Sequence, residues 1–127
     1  MHTFSFNHIA LSVKDVDASV AFYQKVFQFE EIPNTASDSK TRWLSMGENK
    51  QLHLIPRPNA DIKTNKAVHF ALATVDFIGF VKFLKALEIP YSDWRGTPTK
   101  DYVRKDGIQQ VYFQDPNGYW IEVNDDV

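Results

Sequence analysis

The sequence predicts an α+β fold made of two βαβββ units, and three observations predict it. The first is an internal repeat. His8-Ile9-Ala10-Leu11 and His69-Phe70-Ala71-Leu72 superimpose at an offset of 61 residues, which also pairs Asp15 with Asp76, Val20 with Val81 and Phe22 with Phe83. The second is that each half opens with period-two alternation and then switches to the 3.6-residue period of an amphipathic helix. The third is that each half closes on strand-forming residues around a turn, Gly47-Glu48-Asn49-Lys50 and Asp115-Pro116-Asn117-Gly118. At 127 residues the chain is one domain's worth. The first module is expected over about 4–57, a linker over about 58–66 and the second module over about 67–125.

Phe6 to Val13 reads as a strand with Ile9, Leu11 and Val13 on one face and His8, Ala10 and Ser12 on the other. Asp15 or Asp17 suits a helix N-cap, and Val16, Val20, Tyr23 and Phe27 follow at spacings of an amphipathic helix. Phe29 to Pro33 is expected as a short strand and Asn34 to Lys40 as a polar loop. Thr41 to Met46 and Gln51 to Ile55 form a hairpin. Arg57 to Lys66 shows no core pattern and reads as the linker. The plan then restarts. Ala67 to Thr74 is a strand with Val68, Phe70 and Leu72 on its packing face, and Asp76 is the cap. Phe77, Phe80, Val81, Leu84 and Leu87 form the helical stripe that Pro90 stops. Tyr91 to Trp94 is a short strand, Gly96 to Gly107 a long polar loop, and the closing hairpin runs from Val111 to Val123.

Composition narrows the function. A net charge of −2 gives no electrostatic reason to expect nucleic acid or an anionic membrane as partner. There are no cysteines, so disulfides, thiolate metal sites and cysteine nucleophiles are excluded. No basic leader or apolar span is visible, so the expected location is the cytoplasm.

The candidate chemistry lies in the histidines. Of the four, His8, His53 and His69 occupy repeat-related positions, and only His2 falls outside the pattern. His8 matches His69, and His53 in Leu52-His53-Leu54 matches Glu122 in Ile121-Glu122-Val123. Each opening histidine shares its strand face with small residues, Ala10 and Ser12 or Ala71 and Ala73, which suits a cavity floor. Three neutral imidazoles and one carboxylate are a sensible donor set for a divalent transition metal. Against this stands the plainer reading of satisfied core or surface histidines, which fits a lone histidine better than a repeat-matched set. Tyr112, with Gln110 and Gln114 on the same strand face, is a candidate substrate contact. Arg95, Lys100, Arg104 and Lys105 make the late loop either an anion-attracting lid or a solvated loop.

The motifs HIALSV, QLHLI, AVHFALAT and above all YFQDPNGYWIEV resemble the vicinal oxygen chelate superfamily of glyoxalases, bleomycin-resistance proteins and extradiol dioxygenases, over nearly the whole chain. The resemblance implies paired modules forming a cup-shaped mixed sheet around one divalent ion. It implies His8, His53, His69 and Glu122 as ligands and leaves zinc, nickel, iron, cobalt and manganese open. It implies a homodimer and a small-molecule substrate. Within the superfamily, a glyoxalase I-like lyase or isomerase is the expected activity, acting on a small carbonyl compound through a metal-stabilised enediolate. Glu122 would be ligand and base, and Tyr112 a substrate contact. His53 stands where glyoxalase I usually has Glu and where methylmalonyl-coenzyme A epimerases usually have Gln. Extradiol dioxygenases share the His8, His69, Glu122 and Tyr112 types but carry a further catalytic histidine. Fosfomycin-resistance transferases share the Tyr-Phe-x-Asp-Pro-x-Gly stretch but place Thr where this chain has Ala10 and a basic residue beyond Val127. The alternative class is a non-catalytic drug-binding protein with an aromatic groove from Trp43, Trp94, Tyr102, Tyr112 and Trp120.

Overall fold

The computed structural model describes residues 1–127 and divides into two compact units, Met1–Ile62 and Lys63–Val127. The division falls within the expected linker. In the first unit the order is β1 (His8–Val13), α1 (Val16–Phe27), β2 (Glu30–Ile32), β3 (Arg42–Gly47) and β4 (Lys50–Pro56). In the second it is β5 (His69–Ala73), α2 (Phe77–Ala86), β6 (Tyr91–Ser92), β7 (Tyr102–Val103), β8 (Gln109–Gln114) and β9 (Trp120–Asn124). Each unit has its own mixed sheet, ordered β1-β4-β3-β2 in the first and β5-β9-β8-β6 in the second, where β7 also pairs with β8.

The opening strands alternate as their sequences require. In β1, Leu11 and Val13 are buried while His8 and Ala10 are exposed; in β5, Phe70 and Leu72 are the more covered positions. Val68 is the exception: it is 76% exposed because the strand starts only at His69, one residue beyond it. Asp15 caps α1 by accepting a hydrogen bond from the Ala18 amide at 3.1 Å, and Asp76 caps α2 through the Gly79 amide at 3.0 Å. Helix α1 buries Val20, Tyr23 and Val26, which lie on one stripe with Ser19. Helix α2 buries Phe77 and Leu84.

The late loop is more ordered than its polarity suggests. Tyr102 and Val103 form β7 by pairing with Gln110 and Gln109, and Gly107 at φ +87° turns the chain back. The closing turn is built from Asp115. Its side chain accepts from the Asn117 and Tyr119 amides at 2.8 and 3.0 Å, while its carbonyl accepts from Gly118.

Candidate functional site

Sheet register shows why the repeat pairs His53 with Glu122. In the first unit β1 and β4 are parallel with His53 opposite Ala10, and β3 places Trp43 opposite His53. In the second unit β5 and β9 are parallel with Glu122 opposite Ala71, and β8 places Tyr112 opposite Glu122. Each chemical side chain thus faces a small residue on one neighbouring strand and an aromatic one on the other.

In the first unit His8 and His53 come together. Their rings stack with centroids 4.1 Å apart, and Trp43 stacks on His53 at 4.2 Å, so His53 is sandwiched. Asn7 Oδ1 lies 2.6 Å from His8 Nδ1, so Nδ1 donates to it and Nε2 is the nitrogen not used by this bond. Gln51 Oε1 lies 2.8 Å from His53 Nε2, so in the neutral ring only Nδ1 remains to accept. Burial, reinforced by the neighbouring His8, pushes the His53 imidazole below its ordinary value and favours that neutral form.

In the second unit His69, Tyr112 and Glu122 form one cluster. Glu122 is buried at 7% exposure on the same face of β9 as Asn124. Both carboxylate oxygens carry a donor: the Tyr112 hydroxyl donates to Oε1 at 2.7 Å, and Asn124 Nδ2 donates to Oε2 at 2.7 Å. Gln110 Nε2 donates in turn to the Tyr112 oxygen at 3.2 Å. Burial, reinforced by the hydrogen bond to Glu122 and its charge, pushes the Tyr112 phenol well up, so it stays a donor.

The geometry around His69 tests whether these residues suit a cation. A backbone carbonyl can only accept, so the 2.8 Å contact between His69 Nδ1 and the Lys66 oxygen fixes the proton on Nδ1. Nε2 faces Glu122 Oε1, 3.3 Å away, as an ion-pair donor when the ring carries a second proton and as a lone pair when it does not. Two acceptors at that distance repel unless a proton or a metal ion is shared. A carbonyl-anchored imidazole with its other nitrogen free is also the arrangement that orients metal-binding histidines. The His69–Glu122 pair therefore fits a divalent ion. No group of three or more His, Cys, Asp or Glu side chains is assembled to hold one; the residues come together as two pairs, one in each unit.

Two features lay outside the sequence reading. Asn124, the partner of Glu122, follows it by two residues and so shares its strand face, a signal available from alternation alone. Lys66, assigned to a linker without core pattern, is an anchor. Its ammonium donates to the Asp93 and Trp94 carbonyls at 2.8 and 2.9 Å and to Ser92 Oγ at 3.3 Å. It also lies 4.8, 5.1 and 5.6 Å from the ring centroids of Trp120, Tyr112 and Trp94. Burial pushes its ammonium below the ordinary value, a shift the charge of Asp93 opposes.

Comparison with known proteins agrees with this architecture. The family model of the glyoxalase/bleomycin resistance protein/dioxygenase superfamily matches residues 5–123, and the chain belongs to that superfamily. Among curated relatives, Glyoxylase I 4 of Arabidopsis thaliana is 29% identical over 97% of this chain and 71% of its own length. The metallothiol transferase FosB of Staphylococcus epidermidis is 27% identical over 98% of this chain and 83% of its own. Among solved structures, the fosfomycin resistance protein FosX of Listeria monocytogenes superposes with a TM-score of 0.79 at 21% identity, covering 99% of this chain and 96% of its own. Lactoylglutathione lyase from Agrobacterium tumefaciens gives 0.71 at 23% identity, covering 96% and 93%. No helix is long and apolar enough to cross a membrane.

Proposed function

We propose that the protein is a metal-dependent lyase or isomerase of the glyoxalase type, acting on a small carbonyl substrate. One divalent ion is held through His8, His53, His69 and Glu122, contributed as the two pairs described above, in a cytoplasmic homodimer. The observation that carries this reading is His69, with Nδ1 donating to the Lys66 carbonyl and Nε2 turned to a buried carboxylate at 3.3 Å. What the ion supplies when bound is polarisation of a carbonyl oxygen. The remaining work falls to the chain's own residues. Glu122 takes a proton from the carbon beside that carbonyl and returns it. The donors from Tyr112 and Asn124 hold its two oxygens in place, so that little reorganisation accompanies the transfer.

The test is solvent exchange in deuterium oxide, followed by proton NMR, with the metal-loaded protein and phenylglyoxal, with and without glutathione. Deuterium entering the product carbon in the wild type and not in Glu122→Gln supports the reading. Dependence on glutathione would assign a thiol cosubstrate. Absence of turnover and exchange under both conditions overturns the reading and leaves a binding protein. A second reading, metal-dependent thiol transfer, is favoured by the FosB likeness over 98% of the chain; disappearance of fosfomycin in the presence of a thiol would replace the first reading with it.

A further inference from the structure

A cavity of about 420 Å³ in the second unit is lined by Asp93, Trp94, Arg95, Lys100, Tyr102 and Gln110. This volume lies in the range of small-ligand sites, roughly 300–1,000 Å³. Its wall combines two kinds of surface. Trp94 and Tyr102 are large aromatics left 47% and 46% exposed. Arg95 and Lys100 bring two positive charges. Asp93 brings one negative charge already engaged: its carboxylate accepts from the Thr97 amide at 2.8 Å. Hydrogen bonds from Thr97 and the charge of Lys100 hold it ionised against the opposing effect of burial, which is the largest single influence. The lining thus carries a net charge of +1. Arg104, the nearby cation of the same loop, does not line the cavity and is spent on Asp106, at 2.5 and 3.2 Å.

The cavity wall is anchored. The Lys66 ammonium binds the carbonyls of Asp93 and Trp94, which fixes the backbone that carries the Trp94 ring. The wall is also connected to the chemical cluster. Trp94 meets Tyr112 edge-on at 5.4 Å and lies 6.1 Å from His69, while Gln110, buried at 8% exposure, donates to the Tyr112 oxygen bound to Glu122. A molecule in this cavity therefore lies against Trp94, which meets His69, and against Gln110, which reaches Glu122 only through Tyr112.

We propose that this cavity binds a planar monocarboxylate. Its carboxylate is paired by Arg95 and Lys100, and its flat apolar body rests on Trp94 and Tyr102. The cations pair the carboxylate, and the exposed aromatic walls select a conjugated or aromatic body, which inorganic phosphate lacks. The inference rests on the proposed function only in naming that ligand a substrate; the binding site stands without it.

Isothermal titration calorimetry with trans-cinnamate, its neutral analogue cinnamyl alcohol and inorganic phosphate tests it, on the protein as purified and after EDTA treatment. Cinnamate is expected to bind in both forms and in Glu122→Ala, so the site survives even if the metal proposal fails. The double variant Arg95→Gln/Lys100→Gln should bind at least ~10-fold more weakly, as should Trp94→Ala, from loss of a charge-assisted pair or an aromatic contact. Arg95→Lys, which keeps the charge, should retain most of the affinity and controls for folding. Cinnamyl alcohol and phosphate should bind at least ~10-fold more weakly than cinnamate. Undetectable cinnamate binding, binding unchanged in the variants, equal binding of the alcohol or phosphate, or binding abolished by EDTA would each overturn the proposal.

Discussion

Glu122 is a carboxylate enclosed by a strand whose neighbours Ile121 and Val123 are buried, and its cost of burial is offset by Tyr112 and Asn124. Removing one donor should therefore expose the cost. Asn124→Leu is expected to destabilise the fold by about 1–3 kcal/mol in urea unfolding, the usual penalty for leaving a buried polar group unmatched. A value near zero would mean that Glu122 is not held by this bond. The tautomer of His69 is a second consequence at this scale. Nitrogen NMR of the neutral imidazole in metal-free protein should find the proton on Nδ1, bound to the Lys66 carbonyl. A proton on Nε2 would contradict the proposed presentation to a cation. The repeat made Glu122 and His69 legible: His69 lies 61 residues after His8, and Glu122 stands in the closing strand that corresponds to the one carrying His53. Lys66 was not legible, since its three acceptors and three rings come from residues 26 to 54 positions further along the chain.

At the scale of elements, caps and turns followed local chemistry closely. Asp76 and the Asp-Pro-Asn-Gly turn each satisfy backbone amides only two to four residues away, so their roles could be read from neighbouring residue types. Gly118 sits at φ +89°, and an added Cβ would meet Thr64 Oγ1 at 3.4 Å. Gly118→Ala should lower stability by about 1 kcal/mol, measured by thermal or urea unfolding. The pairing of β7 was hidden because Tyr102 and Val103 lie in a polar loop too short in strand-forming residues to show alternation.

Arg42 on β3 ties β2 and α1 together through Glu31, at 2.7 and 2.8 Å, and Asp17, at 2.5 Å. The hydrogen bond from Arg42 and its charge hold the Glu31 carboxyl below its ordinary 4.5, with burial opposing. A depressed carboxyl stabilises the fold above about pH 4.5 and loses that contribution as pH falls through its folded value. The side chains are 32% and 35% exposed, so solvent screening limits the contribution to at most ~1 kcal/mol. Glu31→Gln should be less stable than wild type at pH 7 by up to that amount, with the gap closing as pH falls below 4.5 and through the lowered folded value. A gap that persists in acid would show that packing, and not charge, is responsible.

At the scale of the whole molecule, one sequence pattern is used twice, and the two halves differ where chemistry differs. The first half puts His53 between two rings, whereas the second puts Glu122 under two hydrogen-bond donors. Family membership follows from the match over residues 5–123. The cavity was illegible in the sequence because its wall combines loop residues with the β8 residue Gln110, and a polar loop has no periodicity to announce that its cations and aromatics share a space.

Elemental mass spectrometry of the purified protein tests most directly whether the repeat-matched residues hold a metal ion, as proposed. Near-stoichiometric divalent metal in the wild type, lost in His69→Ala and Glu122→Ala while both variants remain folded, is the expected result. A wild-type protein that is purified without metal and takes up none of the added divalent ions would contradict it.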